Sequence, residues 1–545
     1  MIARDRNGIR TEYIYDYNRP TDIFYPVNPA NNVHYEYGAP NAPNNGAGRI
    51  IYQEDGSGWQ KFSYDALGNI SENIRTFVLP YEDQTYTFKM NFDYDSWNRI
   101  RQMTYPDGEE VSYFYNLGGN LQNIEGIKSG IPYTYIKNIT YNEFEKKRLV
   151  EYGNGSSIGY YYDVLLRLNT LVSNTGFGET MHQIDYQYDN VNNITSIDNT
   201  AGALNNGLGG SYKQNYHYDN LYRLIKSNGQ WYGSSLNTYD LNMDYFADGR
   251  IMKKTQSADL LTNGNYIQIN YANDYLYSNA HQVDRVIDGN NIQHMDWDIN
   301  GNLIFHQSHA PFKDRYLCWD EENRLQGVDD HLFTSLYFYD AGGERTYKLT
   351  GQKQDMNMNG YWYHGAILDN PTLYTSPYLV ANQKSYTKHY YADSERFASK
   401  IGMGGLQNLI EPCLNEGGMR GEQPPPPPSI DTCEKIRDKI DKKKFEIEQM
   451  CARIFDCLKT APLIEQNLLS PLQSYQEELC PESELYFYHP DHLGSSSWIT
   501  DVNGAAIQHL MYLPFGENWI DQRVTGWNAP YTFSGKERDF ETSYS

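Results

Sequence analysis

The chain has 545 residues and is rich in Tyr (51) and Gly (44), a composition that favours strands and tight turns over helices. A formal net charge of −24 excludes a nucleic-acid binder, which needs a basic surface, and suits a soluble body that resists self-association. Mean hydropathy is −0.73 and no apolar run reaches spanning length, so no membrane span is predicted.

The first residues, MIARDRNGIRTEYIYDYN, hold no apolar stretch of the signal-peptide type and already pair Tyr15 with Asp16, as if the chain started inside a larger β-array. Tyr-Asp then recurs, followed by Gly-Asn, Asn-Arg or a near variant and an aliphatic residue. Clear units are FSYDALGNI (with Tyr64, Asp65, Gly68 and Asn69), FDYDSWNRI (Tyr94, Asp95), YYYDVLLRL (Tyr162, Asp163) and YQYDNVNNI (Tyr188, Asp189). YHYDNLYRL (Tyr218, Asp219), DWDINGNL, CWDEENRL and YFYDAGGER (Tyr339, Asp340) continue the series. Degenerate units at Asn116, Asn142, Asp248 and Ser278 complete it, and the steps from Asp65 to Asp340 are 30, 21, 26, 21, 26, 30, 29, 30, 20, 22 and 20 residues. Such a period, held over hundreds of positions, is the signature of a repeat architecture.

In one unit, Phe62 and Tyr64 share a strand face. Asp65 opens a turn by accepting backbone amides, Gly68 and Asn69 supply positive φ, and Ile70 begins the returning strand. Each strand–turn–strand unit buries its aromatic face only against its neighbours. The Tyr rows read better as cross-strand ladders than as a glycan-binding surface, because they are regular and numerous.

The repeat fades after Gly402. Residues 403–430 form a linker containing the proline run Pro424–Pro428, a polyproline II strut. Residues 431–480 predict a helical hairpin: Asp431 and Glu434 make a capping box, and Ile436, Ile440, Ile447, Cys451, Ile454 and Leu458 keep helical spacing. Ala461-Pro462 breaks the first helix, and a shorter second one is expected from about Leu463 to Leu479. An antiparallel pair would place Cys433 and Cys480 at one end, either as free small residues or as a disulfide.

Residues 481–545 carry YFYHPDHLGSSSWITDVNGAAIQHLMYLPFGE and then YTFSGKERDFETSYS. The Tyr-Asp units resemble the YD repeats of the Rhs family of bacterial polymorphic toxins, also found in toxin-complex components and teneurins. The last segment resembles the Rhs-associated core on four motifs in order: YHxDHLGS at His489, Asp491, His492 and Gly494; T-D-x-x-G at Thr500; Y-x-P-F-G at Pro514, Phe515 and Gly516; and F-[ST]-G-K-E-x-D at Lys536, Glu537 and Asp539. The resemblance implies a mainly β fold, a spiral YD-repeat sheet forming a shell that the core-like segment closes at one end, carrying here a small α-helical hairpin insert. It implies a C-terminal effector as cargo, immunity or delivery proteins as partners, and a secreted or cell-surface location. The sequence ends before the family's downstream cleavage motif and any toxin domain, so autoproteolysis and toxicity are not expected of these residues.

Other chemistry is weaker. Asp296–Gly301 imitates a calcium loop, but Gln307 stands where a bidentate Glu is needed, and the run falls in repeat register. His489, Asp491 and His492 could surround a metal, yet His492 would face away from the others on a strand, and a turn explains the motif. No P-loop, nucleophile elbow or H-E-x-x-H occurs, so the expectation is a structural protein with no catalytic residue and no cofactor. The rival readings are a surface module binding glycans or proteins, and a latent aspartyl-type autoprotease in a longer form.

Overall fold

The computed structural model describes residues 1–81, 85–279, 281–309, 312–358, 361–368, 370–382, 385–403, 430–462 and 484–539. The chain is mainly β, a large closed shell of many strands, with one α-helix among the described residues, Ile430–Leu458. Neighbouring strands pair antiparallel one after another: Gly58–Tyr64 with Ile70–Val78, then Ile70–Val78 with Thr85–Tyr94, and so on along the repeats. The core-like segment does not begin a separate body. Its first strand, Glu484–Pro490, adds antiparallel to Glu395–Met403, and its last, Asn518–Arg523, closes the sheet by pairing parallel with Ile251–Thr262 (Leu261 opposite Ile520).

Burial separates wall from interior. Strands such as Thr180–Tyr188 and Leu236–Tyr245 alternate buried and exposed positions, the pattern of a sheet with one face in water. Ser496–Thr500 is buried at every position and Ala506–Tyr512 at all but the last, so these strands are covered on both faces. The largest apolar cluster joins the two layers: Met103, Tyr135, Leu171 and Tyr239 from the wall pack with Tyr390, Phe487, Trp519 and Ile520. The wall in this part of the shell is therefore wrapped around the core-like strands, and its interior is packed with side chains. By contrast, Asn265–Asn279 and Asn291–Trp297 have almost no fully buried residues, and Ile2–Arg4 is exposed throughout. These strands form an uncovered rim, held together where Asn300 Nδ2 donates to Asp5 Oδ2 (2.7 Å).

The helix follows its predicted apolar stripe. Ile440, Ile447, Cys451, Ile454 and Leu458 are buried against Trp59, Phe77, Leu336 and Phe338 of the wall. A Cβ on Gly327 would sit 2.6 Å from Ile454, so glycine is needed there for the helix to approach. The helix starts at Ile430, one residue before the predicted cap. After it, Ala461-Pro462 forms a short strand parallel to Gly365-Ala366. The second helix of the predicted hairpin and Cys480, with the Cys433–Cys480 pairing, lie outside the described residues, as does most of the linker. The disulfide that is present joins Cys318, in the repeat unit CWDEENRL, to Cys457 near the helix end.

Candidate functional site

The repeat turn has a fixed chemistry. In the clear Tyr-Asp units the Asp Oδ1 accepts the amides two and four residues on, as from Leu67 and Asn69 to Asp65 (2.9 and 2.8 Å) and from Leu165 and Arg167 to Asp163 (both 2.9 Å). Oδ2 takes the side chain four residues on: Asn69 on Asp65, Arg99 on Asp95, Arg167 on Asp163, Asn193 on Asp189 and Arg223 on Asp219, at 2.7–2.9 Å. These side-chain bonds hold Asp65 and Asp219 below the usual carboxylate range. In the clear units positive φ falls on the third residue after the Asp and not the fourth, as at Gly68 (95°), Asn98 (63°), Asn192 (73°) and Gly343 (85°). Asn69 therefore works through its amide side chain, not through left-handed backbone, which corrects the sequence expectation for that position.

Each repeat Tyr reaches back one unit. The hydroxyls of Tyr64, Tyr94, Tyr162, Tyr188, Tyr218 and Tyr339 donate to the carbonyls of Ile50, Ile70, Lys147, Leu168, Ile194 and Leu325 at 2.5–3.0 Å. The Arg of one unit covers the Tyr of the next, as Arg167 does Tyr188 (4.6 Å) and Arg223 does Tyr245 (4.7 Å). The pattern is a cross-unit ladder. Asp298, in the calcium-loop-like run, makes the same turn with Asn302 (Oδ1 from N at 2.8 Å). Leu166 and Tyr222 occupy the left-handed position at φ 60° and 62°. Replacing Leu166 by Asn is expected to raise stability by about 0.5–1 kcal/mol in urea unfolding, because Asn tolerates this conformation.

The core-like segment reuses the turn and then docks on the wall. Asp491 Oδ1 accepts the amides of Leu493 (2.8 Å) and Ser495 (2.9 Å), with Gly494 at φ 78°. Desolvation lifts the half-buried Asp491 carboxyl above its usual range. His489 meets Thr500 Oγ1 (3.1 Å) and the Tyr152 ring, whereas His492 packs on Tyr186, so the two imidazoles have different neighbours. Among the described residues no three His, Cys, Asp or Glu side chains converge as metal ligands. The Pro514-Phe515-Gly516 turn closes with Gly516 N donating to Leu513 O (2.9 Å); Phe515 lies under Lys254, and Gly516 (φ 94°) lets Phe533 pack closely. Asn154 Nδ2 donates to Thr500 Oγ1 (2.9 Å) and Asp501 O (2.7 Å), and Gly176 N to Gly504 O (2.8 Å). A Cβ on Gly504 would lie 2.5 Å from Asn154 O, so the turn touches the wall backbone directly.

The last described residues form a clamp. Lys536 and Arg538 are exposed while Glu537 and Asp539 turn inward onto the wall, the alternation of an extended segment. Asp539 receives Arg345 (3.0 Å), Lys348 (3.1 Å) and the Tyr337 hydroxyl (3.1 Å); Glu537 receives Arg345 (2.8 Å) and Tyr374 (3.2 Å). Burial keeps the Glu537 carboxyl above the usual range despite Arg345 and Lys348. Beside the clamp is a cleft of about 390 Å³ lined by Tyr391, Arg396, Tyr488, Leu493, Tyr531 and Gly535, in which the Arg396 guanidinium stacks 3.3 Å above Tyr531.

The core-like residues His489, Asp491, His492 and Gly494, and separately Lys536, Glu537 and Asp539, thus lie where this segment meets the wall; the repeat residues are spread along it. Sequence reasoning missed Arg345, Lys348, Tyr337 and Tyr374, the basic and phenolic half of the clamp. It also missed a second buried cluster in which Glu109 accepts Lys388, Lys400, Tyr135 and Tyr390. Burial would raise Glu109, but the two ammoniums outweigh it and hold the carboxyl below its usual range. The clamp acids did carry a signal, the K-E-x-D motif; their partners had none.

No protein-family model matches this chain, and no curated protein matches it. Solved structures do. A crystal structure titled TcdB2-TccC3-Cdc42 is similar over 99% of this chain at 15% identity and a TM-score of 0.61. The Photorhabdus luminescens Tc holotoxin pore with the TccC3-D651A mutation is similar over 99% at 16% identity and a TM-score of 0.65, and TcdB2-TccC3 without its hypervariable C-terminal region gives 15% and 0.61. The chain spans about a quarter of the length of these solved chains (25–26%). At the level of the fold, the chain is like the toxin-complex shells, in keeping with the Rhs/YD-repeat resemblance.

Proposed function

We propose that this chain, with its toxin-complex shell fold, is the closing end of an Rhs-type spiral shell that contains a C-terminal effector. The observation that carries the reading is the core-like segment buried on both faces inside the repeat wall and clamped through Glu537 and Asp539 as it leaves. Its work is containment, and no residue is assigned a catalytic role. Backbone ladders and the Tyr-Asp turns make the wall, the packed strands stop one end, and the clamp fixes where cargo would join. Ile2–Arg4, exposed and paired among the described strands only with Arg10–Asp16, is the strand edge of the uncovered rim and is where further wall would add by strand pairing, since exposed strand edges template new strands. Cargo would then lie on the rim side of the packed strands.

The test is protease protection. A flexible reporter appended after Ser545 of the full chain is expected to outlast the free reporter under trypsin by at least about tenfold. Cleavage at the rate of the free reporter would overturn containment.

A further inference from the structure

Three imidazoles are buried where the core-like strands seat on the wall. His182 comes from the wall strand Thr180–Tyr188, His489 from Glu484–Pro490 and His509 from Ala506–Tyr512; they are at most 1% exposed. His182 Nε2 meets Ser497 Oγ (3.2 Å), His489 Nε2 meets Thr500 Oγ1 (3.1 Å), and His509 Nδ1 meets Gln522 Oε1 (2.9 Å). Trp498 packs between His182 (6.0 Å) and His509 (4.3 Å). Nδ1 of His182 and of His489 is buried with no partner, so a second N–H on either ring would have nothing to bind.

The surroundings give these rings little reason to charge. Asp521 favours a charged His509, but Arg523 already binds that carboxylate (2.5 Å). No carboxylate among the described residues acts on His182 or His489, and His182 faces the other two imidazoles. At the adjoining turn Asp491 is matched with His492, and the remaining facing groups, Tyr152, Asn154, Ser497 and Thr500, are neutral. Burial drives His489 down to about 3 and His509 to about 4, and pushes His182 well below its ordinary value.

We propose that this seam is an acid-sensitive catch, through which mild acidification unseats the core-like strands while the repeat wall stays folded. When the seam opens, each imidazole regains an ordinary pKa near 6.5, so the open form binds more protons below that value. Closure is at full strength above about pH 6.5 and weakens as pH falls towards the closed-state values. The catch is local because the three rings sit together, with the wall contributing one of them. The wall's other buried imidazole here, His389, has a hydroxyl partner on each ring nitrogen, Ser399 (2.8 Å) and Tyr531 (3.2 Å), so a second N–H there does not lack an acceptor.

Hydrogen–deuterium exchange on the full chain tests it, at about pH 7.5 and about pH 5, with labelling times scaled for intrinsic exchange. Amides of Phe487–Tyr512 are expected to lose at least about 30-fold protection at the lower pH, the factor for one imidazole that charges on opening. Amides of Gly58–Tyr64 and Ile70–Val78, remote from the seam, are expected to keep theirs. In the H182Q/H489Q variant the loss is expected to shrink by at least about 30-fold; should that variant fold poorly, H182Q alone is expected to shrink it by a similar factor. Unchanged protection of Phe487–Tyr512, or an equal loss along the whole chain, would overturn the proposal. So would an undiminished loss in the folded variant.

Discussion

Changing Cys318 and Cys457 to Ser lowers stability by about 4–5 kcal/mol, read as a lower guanidinium midpoint than the parent chain under oxidising conditions. The bond closes a loop of 139 residues, and the entropy it removes from the unfolded chain grows with that length. It also joins the helix to the strand Phe312–Trp319, where Lys459 just past the helix end covers the Tyr316 ring (4.9 Å). The helix face it secures is the apolar one, with Ile447, Cys451, Ile454 and Leu458 fully buried. A thiol reductant should move the parent chain to the midpoint of the variant and leave the variant unmoved. Equal midpoints with and without reductant would mean that packing and the polar ties of Lys443 to Ala30 O and Arg453 to Asn28 secure the helix without the bond.

Truncating Asp539 to Ala costs about 3–5 kcal/mol, because it removes the buried carboxylate that Arg345, Lys348 and Tyr337 share. Lys348 and Asp539 are 7% and 6% exposed, and Asp539 accepts Arg345, Lys348 and Tyr337 together. Adding Lys348→Met to the truncated form should recover part of the loss, since a buried ammonium that faced the Asp539 carboxylate is then gone. A double-mutant cycle in urea measures the coupling. Additive effects would place Lys348 outside the clamp. Proteolysis should report the same change from the other side: residues 533–539 become cleavable once the clamp is broken, while the repeat wall stays intact.

Much of this architecture was legible in the sequence because the repeat is local. The strand, the Asp that opens the turn and the residue that returns all fall within the single short run FSYDALGNI, and local chemistry decides them. The helix stripe was legible for the same reason, through its helical period. Within the turn, the sequence reading gave Asn69 the wrong task, since an Asn can serve either by left-handed backbone or by its amide, and only the hydrogen bonds separate the two. What pattern could not supply were contacts of long separation. Lys388 and Glu109 are 279 residues apart and Arg345 and Asp539 are 194 apart, and nothing near either residue marks its partner. The Cys318–Cys457 bond was hidden similarly: Cys318 takes the variable place that Ser63 holds in FSYDALGNI, so the cysteines crowded around the helix drew attention to the nearer pairing. The filled interior was out of reach as well. The core-like motifs indicate a closing element, but how far it enters the wall depends on which wall residues face it.

The measurement that bears most directly on the central claim is an electron cryo-microscopy map of the whole chain at a resolution that separates strands. The account predicts continuous strand density for Ser496–Thr500, Ala506–Tyr512 and Asn518–Arg523 inside the wall, with Asn518–Arg523 alongside Ile251–Thr262. An empty wall, with those residues outside it or at the rim, would contradict it.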